Sequence, residues 1–388
     1  MIELHIEPFG VEEWMNRYET KAKYNIAETC VESLTVEELL NLSQDPSGAM
    51  RNIAGIKLTY GEIPGSGELR RAIASLYKSM DEDNVLITQG GIGANFLTQF
   101  SLVNPGDGVI SVYPTYQQLY SVPKSFGASV HLLPLRPENN FLPDLNELEG
   151  VAKTAKNLKM ICLNNPNNPT GALMDGDFLK RIVDIAKRYD AYILCDEVYR
   201  GLEHEASFKT PSIVDLYEKG ISTGSMSKVF SLAGLRLGWI VGSPEVIKQC
   251  FSHRDYMTIS CGLVDEYLAL IALKNRDRLL ERNLGIVRKN FKILSSWVAD
   301  EKKVGWITPK AGTTAFLNFS DYGISSSDFC EGLLAETGAF LVPGSAFGPE
   351  FNGWARIGYA CSSEVLQKGL ECLSIFLRKV EGEMNNAK

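Results

Sequence analysis

Tyr192-Ile193-Leu194-Cys195-Asp196-Glu197-Val198-Tyr199 decides the architecture. An apolar run of strand length ends abruptly in two carboxylates, as a buried strand does when it reaches the edge of a sheet. Leu179–Tyr189 precedes it, and there Leu179, Ile182, Val183, Ile185 and Ala186 share one helical face. The same alternation extends outward in both directions. Val85–Thr88, Val109–Val112, Ser129–Leu133, Met160–Asn164, Ile221–Gly224 and Gly238–Val241 are short apolar runs, most of them separated by amphipathic stretches. This rhythm predicts a mostly parallel sheet with helices on both faces, and ligands on such sheets bind beyond the carboxyl ends of the strands.

After about residue 260 the pattern changes. Leu263–Val298 reads as one long helical region with Gly285 as its weak point. Short strands at Thr314–Phe319 and Phe340–Pro343 follow, then a closing helix over Glu364–Val380 and a polar, frayed tail, Glu381–Lys388. A large domain is therefore expected over residues 43–282. A smaller α+β domain is expected from residues 1–42 and 283–388.

The 388 residues are 45% hydrophobic and 22% charged, ordinary for a folded chain that needs no staple. A net charge of −8 argues against nucleic acid or an anionic membrane surface as partner. The eight cysteines include no Cys-x-x-Cys pair and read as reduced core residues of a cytoplasmic protein. The four histidines stand apart from other ligand types, so no metal is expected. Met1–His5 has acid where a leader needs base, and no apolar run approaches the ~20 residues of a membrane span.

Polar residues gather just after the predicted strands. Ser225-Met226-Ser227-Lys228 is followed by Gly234-Leu235-Arg236-Leu237-Gly238. A lysine alone is most often a solvated surface group. Flanked by small hydroxyl residues, with an arginine eight positions on to grip a phosphate, Lys228 is placed to form a Schiff base with a cofactor aldehyde. Such a lysine needs a lowered pKa, which a buried cationic neighbourhood supplies. Asp196 can be a metal ligand, a cap or the partner of a pyridinium nitrogen, and no ligand cluster supports metal. Tyr199 can donate its hydroxyl to a ring oxygen. Asn164-Asn165-Pro166-Asn167-Asn168-Pro169-Thr170-Gly171 reads as a turn-rich loop in which Asn168 can bond a phenolic oxygen. Gly90-Gly91-Ile92-Gly93-Ala94-Asn95 opens a helix and suits a single phosphate. Phe96 stands where a dinucleotide fingerprint needs its third glycine, which removes a dinucleotide oxidoreductase.

Asn168, Asp196, Tyr199, Lys228 and Arg236, in this order and spacing, resemble the class I/II aminotransferases, pyridoxal-phosphate enzymes of fold type I. The resemblance covers about Tyr60 to Arg356. It implies a large domain on a mostly parallel seven-stranded sheet, a smaller domain and a homodimer. It implies pyridoxal 5'-phosphate as cofactor, and transfer of an amino group between an amino acid and a 2-oxo acid. Lys228, Asp196 and Tyr199 are then the catalytic residues. Phosphate falls to the amides of Gly91 and Ile92 with Ser225, Ser227 and Arg236. Tyr116 stacks on the ring, and Tyr60 reaches the phosphate of the neighbouring subunit. Arg356, in Arg356-Ile357-Gly358-Tyr359, clamps the substrate carboxylate beside Asn168 and Ala27.

Ile92 departs from the frequent hydroxyl residue, at the loss of one phosphate contact. Tyr24–Cys30 and the Trp14 region are similar to a subgroup that includes capreomycidine synthase and arginine oxidases. The oxidases rely on a histidine near the position of Cys30 and an acid near that of Ser225; both are missing, so arginine chemistry is not the expected reaction. The rival readings are β-elimination, cyclisation or amine oxidation on the same cofactor, and a non-catalytic sensor domain, which would carry a basic DNA-binding head.

Overall fold

The computed structural model describes residues 6–386; the Met1–His5 opening and the last two residues of the tail lie outside it. Seven strands form the central sheet. In spatial order they are Val85–Gln89, Leu237–Val241, Gly220–Ser225, Tyr192–Asp196, Leu158–Asn164, Gly108–Tyr113 and Ser129–Pro134. All neighbours run parallel except Leu237–Val241, which is antiparallel to both strands beside it. The inner strands are buried along nearly their whole length, and most are written as apolar runs; Gly220–Ser225 instead buries Ser222, Thr223 and Ser225.

Helix Gly176–Arg188 shows the local logic. Asp175 caps its start by accepting from the Phe178 amide, and its buried residues are Leu179, Ile182, Val183, Ile185 and Ala186, the predicted face. Register then aligns the strand ends. Asn164 lies opposite Asp196, and Asp196 opposite Thr223, so three polar residues form one row at the carboxyl edge. The reversed strand begins at that edge, which brings Arg236 there as well.

The second part holds a four-stranded antiparallel sheet, ordered Val342–Pro343, Trp354–Gly358, Thr314–Asn318 and Gly305–Trp306. Tyr24–Asn25 pairs parallel with Ala339–Phe340, so the opening segment packs here. Trp14 reinforces this by donating Nε1–H to the Leu341 carbonyl at 2.8 Å.

Three expectations need correction. Helix Leu263–Lys274 ends at Asn275 and a second helix, Arg276–Asp300, runs straight through Gly285. Asn275 makes the break by donating its side-chain amide to the Ile271 carbonyl at 2.9 Å. The single strand over Phe340–Pro343 is two strands in different sheets, parted at Leu341. The final helix runs from Ser363 to Asn386, so Glu381–Asn386 continue it.

Candidate active site

A cavity of about 500 Å³ lies at the carboxyl edge of the large sheet, closed from the other side by the N-terminal segment and Arg356. Its lining includes Ala27, Gly91, Ile92, Tyr116, Asn168, Asp196, Tyr199, Ser225, Ser227, Lys228, Arg236 and Arg356. Every sequence-predicted site residue except Tyr60 is therefore gathered at one place. Tyr60 is 71% exposed on the outer surface.

Asp196 forms the floor. Its carboxylate accepts from Asn95 Nδ2 at 2.8 Å and from the Val198 amide at 3.2 Å. Asn95 is itself fixed by Thr223, whose hydroxyl donates to Asn95 Oδ1 at 2.7 Å. Burial pushes the Asp196 carboxyl up to about 6, against the pull of those two bonds. Asn164 ties the floor to the neighbouring loop. Its side-chain amide donates to the Asp196 carbonyl at 3.0 Å, and its Oδ1 accepts from the Asn168 amide at 2.7 Å.

Lys228 Nζ donates to Thr29 Oγ1 at 2.6 Å and to Cys30 Sγ at 3.3 Å. The expected cationic neighbourhood is not there. Burial alone would lower the lysine, but Cys30, Tyr199 and Glu28 outweigh it and hold the ammonium form above its usual range. Burial similarly opposes ionisation of Glu28; Lys228 and the amides of Cys30 and Thr29 overcome it and keep that carboxyl low.

The helix Gly90–Leu102 begins beside Ser225 and Arg236. A Cβ at Gly90 would stand 2.9 Å from Arg236 Nη2, so the guanidinium lies against the helix start. The free amides of that turn and the guanidinium together suit a phosphate. Arg356, on strand Trp354–Gly358, donates to Asn168 Oδ1 at 3.3 Å and to the Ala27 carbonyl at 3.1 Å. It is 3% exposed, and its Nε is buried with no hydrogen-bond partner. An anion cradle, a lysine, a buried carboxylate and a tyrosine in the cavity wall are a donor set that pyridoxal phosphate can use, so the residues fit that group.

Asn95, Glu12, Met15, Asn16, Glu19, Glu28 and Thr29 also line the cavity and had been given no role. Asn95 carried a signal: a polar residue between Ala94 and Leu97 on the buried face of a helix. The N-terminal residues carried none, because only tertiary folding brings them across. Among the described residues no cluster is placed to hold a metal, and no helix is long and apolar enough to cross a membrane.

Sheet order and site together define a fold-type-I pyridoxal-phosphate enzyme. The model of the family "Aminotransferase class I and II" matches residues 29–373, and the chain belongs to that family. A crystal structure of a PLP-dependent aminotransferase from Streptococcus suis is similar at 44% identity and a TM-score of 0.92, covering 97% of this chain and 98% of that one. An aspartate aminotransferase of Pyrococcus horikoshii is 35% identical over 84% of this chain and 83% of its own length. Capreomycidine synthase of Streptomyces vinaceus is 32% identical over 94% and 92%.

Proposed function

We propose that this chain moves an amino group from an amino acid to a 2-oxo acid, with Lys228, Asp196 and Arg356 as its central residues. The observation that carries the reading is the convergence of these three on one cavity, with Arg356 Nε left without a partner. When bound, pyridoxal phosphate supplies a ring that draws electrons from the substrate α-carbon. Asp196 would hold a proton on the ring nitrogen, and the bonds from Asn95 and Val198 fix its carboxylate in place. Asn168 and Tyr199 would bond the phenolic oxygen, Tyr116 would cover the ring, and Gly91, Ile92, Ser225, Ser227 and Arg236 would hold phosphate. Arg356 grips the substrate carboxylate in two parallel bonds, with Asn168 and Ala27 as its supports. Lys228 Nζ, steadied by Thr29, would serve as the base that takes up and returns the substrate's α-proton.

The large unit spans 43–282 and joins 1–42 and 283–388 through helix Arg276–Asp300, which crosses the join. The protein acts as a homodimer in the cytoplasm. Free cysteines throughout, six of them buried, support a reducing compartment. Exposed Leu58, Tyr60 and Tyr256 support a partner subunit.

Two half-reactions test this. An amino acid alone should bleach the cofactor band once per site, and a 2-oxo acid should restore it. Release of ammonia or of an unsaturated product, with no need for the oxo acid, would replace transfer by elimination or cyclisation. Borohydride reduction and peptide mapping should find the cofactor on Lys228; an adduct on another lysine would end that assignment.

A further inference from the structure

We propose that Thr29 is a further catalytic residue: its hydroxyl receives Lys228 Nζ whenever that amine is free and leaves the amine's lone pair to the substrate's α-proton. This rests on the reading above that Lys228 is the base. Thr29 lies on the N-terminal segment that walls the cavity. Two atoms accept from Nζ, Thr29 Oγ1 at 2.6 Å and Cys30 Sγ at 3.3 Å. The thiol is the weaker acceptor, and burial raises it so that it stays neutral.

The Thr29 hydroxyl is aimed by its surroundings. The Thr29 amide donates to Glu28 Oε1 at 2.7 Å, and the Thr29 carbonyl accepts from Thr313 Oγ1 at 2.7 Å. A β-branched side chain on a fixed backbone has few rotamers left. Its own proton goes to Tyr199: burial raises the Tyr199 hydroxyl, and Lys228 and a hydrogen bond from Thr29 pull it back. A hydroxyl has one proton to give, so toward Lys228 Thr29 can only accept. The same segment supports the other end of the substrate. Ala27, two residues away, gives its carbonyl to Arg356 at 3.1 Å. The Gly358 amide donates to the Ile26 carbonyl at 2.8 Å, and a Cβ at Gly358 would stand 1.9 Å from the Glu28 carbonyl oxygen. One short stretch, pressed against the strand that carries Arg356, therefore sets the gap between the carboxylate clamp and the base. When the substrate amine displaces Lys228, the amine released is neutral. With one N–H on Thr29, its lone pair takes the α-proton, and the electrons of that C–H bond stay on the α-carbon side to be drawn into the ring.

Thr29→Val keeps the shape and removes the acceptor; Thr29→Ser keeps the acceptor; Thr29→Ala repeats the loss with no added bulk. In the cofactor-free chain at pH 9, Lys228 should acetylate about threefold or more faster in Thr29→Val, because an ammonium that loses a hydrogen bond gives up its proton more readily. In the holoenzyme, bleaching by an amino acid should slow by about tenfold or more, with KM changed by less than about threefold. The α-deuterium isotope effect on bleaching should rise above that of wild type. Thr29→Ser should recover most of the rate, and equilibrium dialysis should find pyridoxal phosphate held as in wild type. Wild-type bleaching in both Thr29→Val and Thr29→Ala overturns the proposal. So does slow bleaching with the isotope effect and Lys228 acetylation unchanged, which marks a packing role, and so does a loss that serine does not recover. No oxo acid enters these measurements, so failure of an oxo acid to restore the band defeats the aminotransferase reading alone. A cofactor mapped to another lysine ends both.

Discussion

Burial holds the Asp196 carboxyl up to about 6, well above its unfolded value, and that has a consequence for stability. Between about pH 4 and pH 6 the folded, cofactor-free chain binds more protons here than the unfolded chain. Stability therefore falls as pH rises through that window, and the cost is complete above it. Asp196→Asn removes the cost. Its cofactor-free form should be more stable than wild type at pH 8 by about 1–3 kcal/mol, with the gap closing near pH 4. Thermal melts at the two pH values measure this. A lower melting point at pH 8 would mean that the bonds from Asn95 and Val198 outweigh the desolvation. The same variant should lose turnover by about a hundredfold to a thousandfold, since the proton on the ring nitrogen is no longer held. Arg356 gives a second prediction. An ammonium cannot reproduce a planar two-bond grip, and Nε is the donor left unmet. Arg356→Lys should raise KM for every amino acid by about tenfold to a hundredfold. A rise confined to one side-chain class would show that Arg356 reads side chains.

The start of helix Gly90–Leu102 depends on how closely it sits on the reversed strand Leu237–Val241. A Cβ at Gly238 would lie 2.3 Å from the Gly90 carbonyl carbon and 2.5 Å from the Gly91 nitrogen. Both are backbone, so the helix start would have to move. Gly238→Ala should cost about 1–3 kcal/mol in urea melts and weaken cofactor retention at least as visibly. Unchanged retention would mean that the first turn is not the phosphate cradle. Elements of this kind divide into those legible in the sequence and those that are not. Most of the seven strands were legible because strands buried on both faces are largely apolar; Ser129–Pro134 at the sheet edge and the hydroxyl-rich Gly220–Ser225 follow that rule least. Polar strand ends were legible for the converse reason: Asp196 and Asn164 interrupt such runs. The direction of Leu237–Val241 was not, since an apolar run reads the same both ways. The helix break fell at Asn275 and not Gly285 because a side chain that bonds back to Ile271 ends a helix, whereas packing carries a glycine through. Glu12 and Glu19 look like ordinary acids on a surface helix until Tyr24–Asn25 and Trp14 dock that segment against the small sheet.

At the scale of the whole molecule, Tyr60 is the residue that a single chain leaves unexplained. It sits outside the cavity at 71% exposure, beside Leu58 at 91%, and Tyr256 elsewhere on the surface is 84% exposed. Large apolar side chains in such numbers mark a surface meant to be covered. In a two-fold dimer one patch serves both subunits, so a Tyr60 that reaches the partner's phosphate builds two shared sites at once. Tyr60→Phe should then weaken cofactor retention by the ~1.5–3 kcal/mol of one hydrogen bond to a charged group, with the reaction type unchanged. Mixing gives the sharper test. Tyr60→Ala and Lys228→Ala are each expected to be nearly inactive as pure dimers. In a mixed dimer with shared sites, one site carries both lesions, and the other draws intact Tyr60 from one subunit and intact Lys228 from the other. Activity should return as subunits exchange, approaching one working site per mixed dimer. Native mass spectrometry follows the exchange independently of activity. Complete exchange with no recovery would place Tyr60 in the service of its own chain, and the shared-site dimer would have to be abandoned.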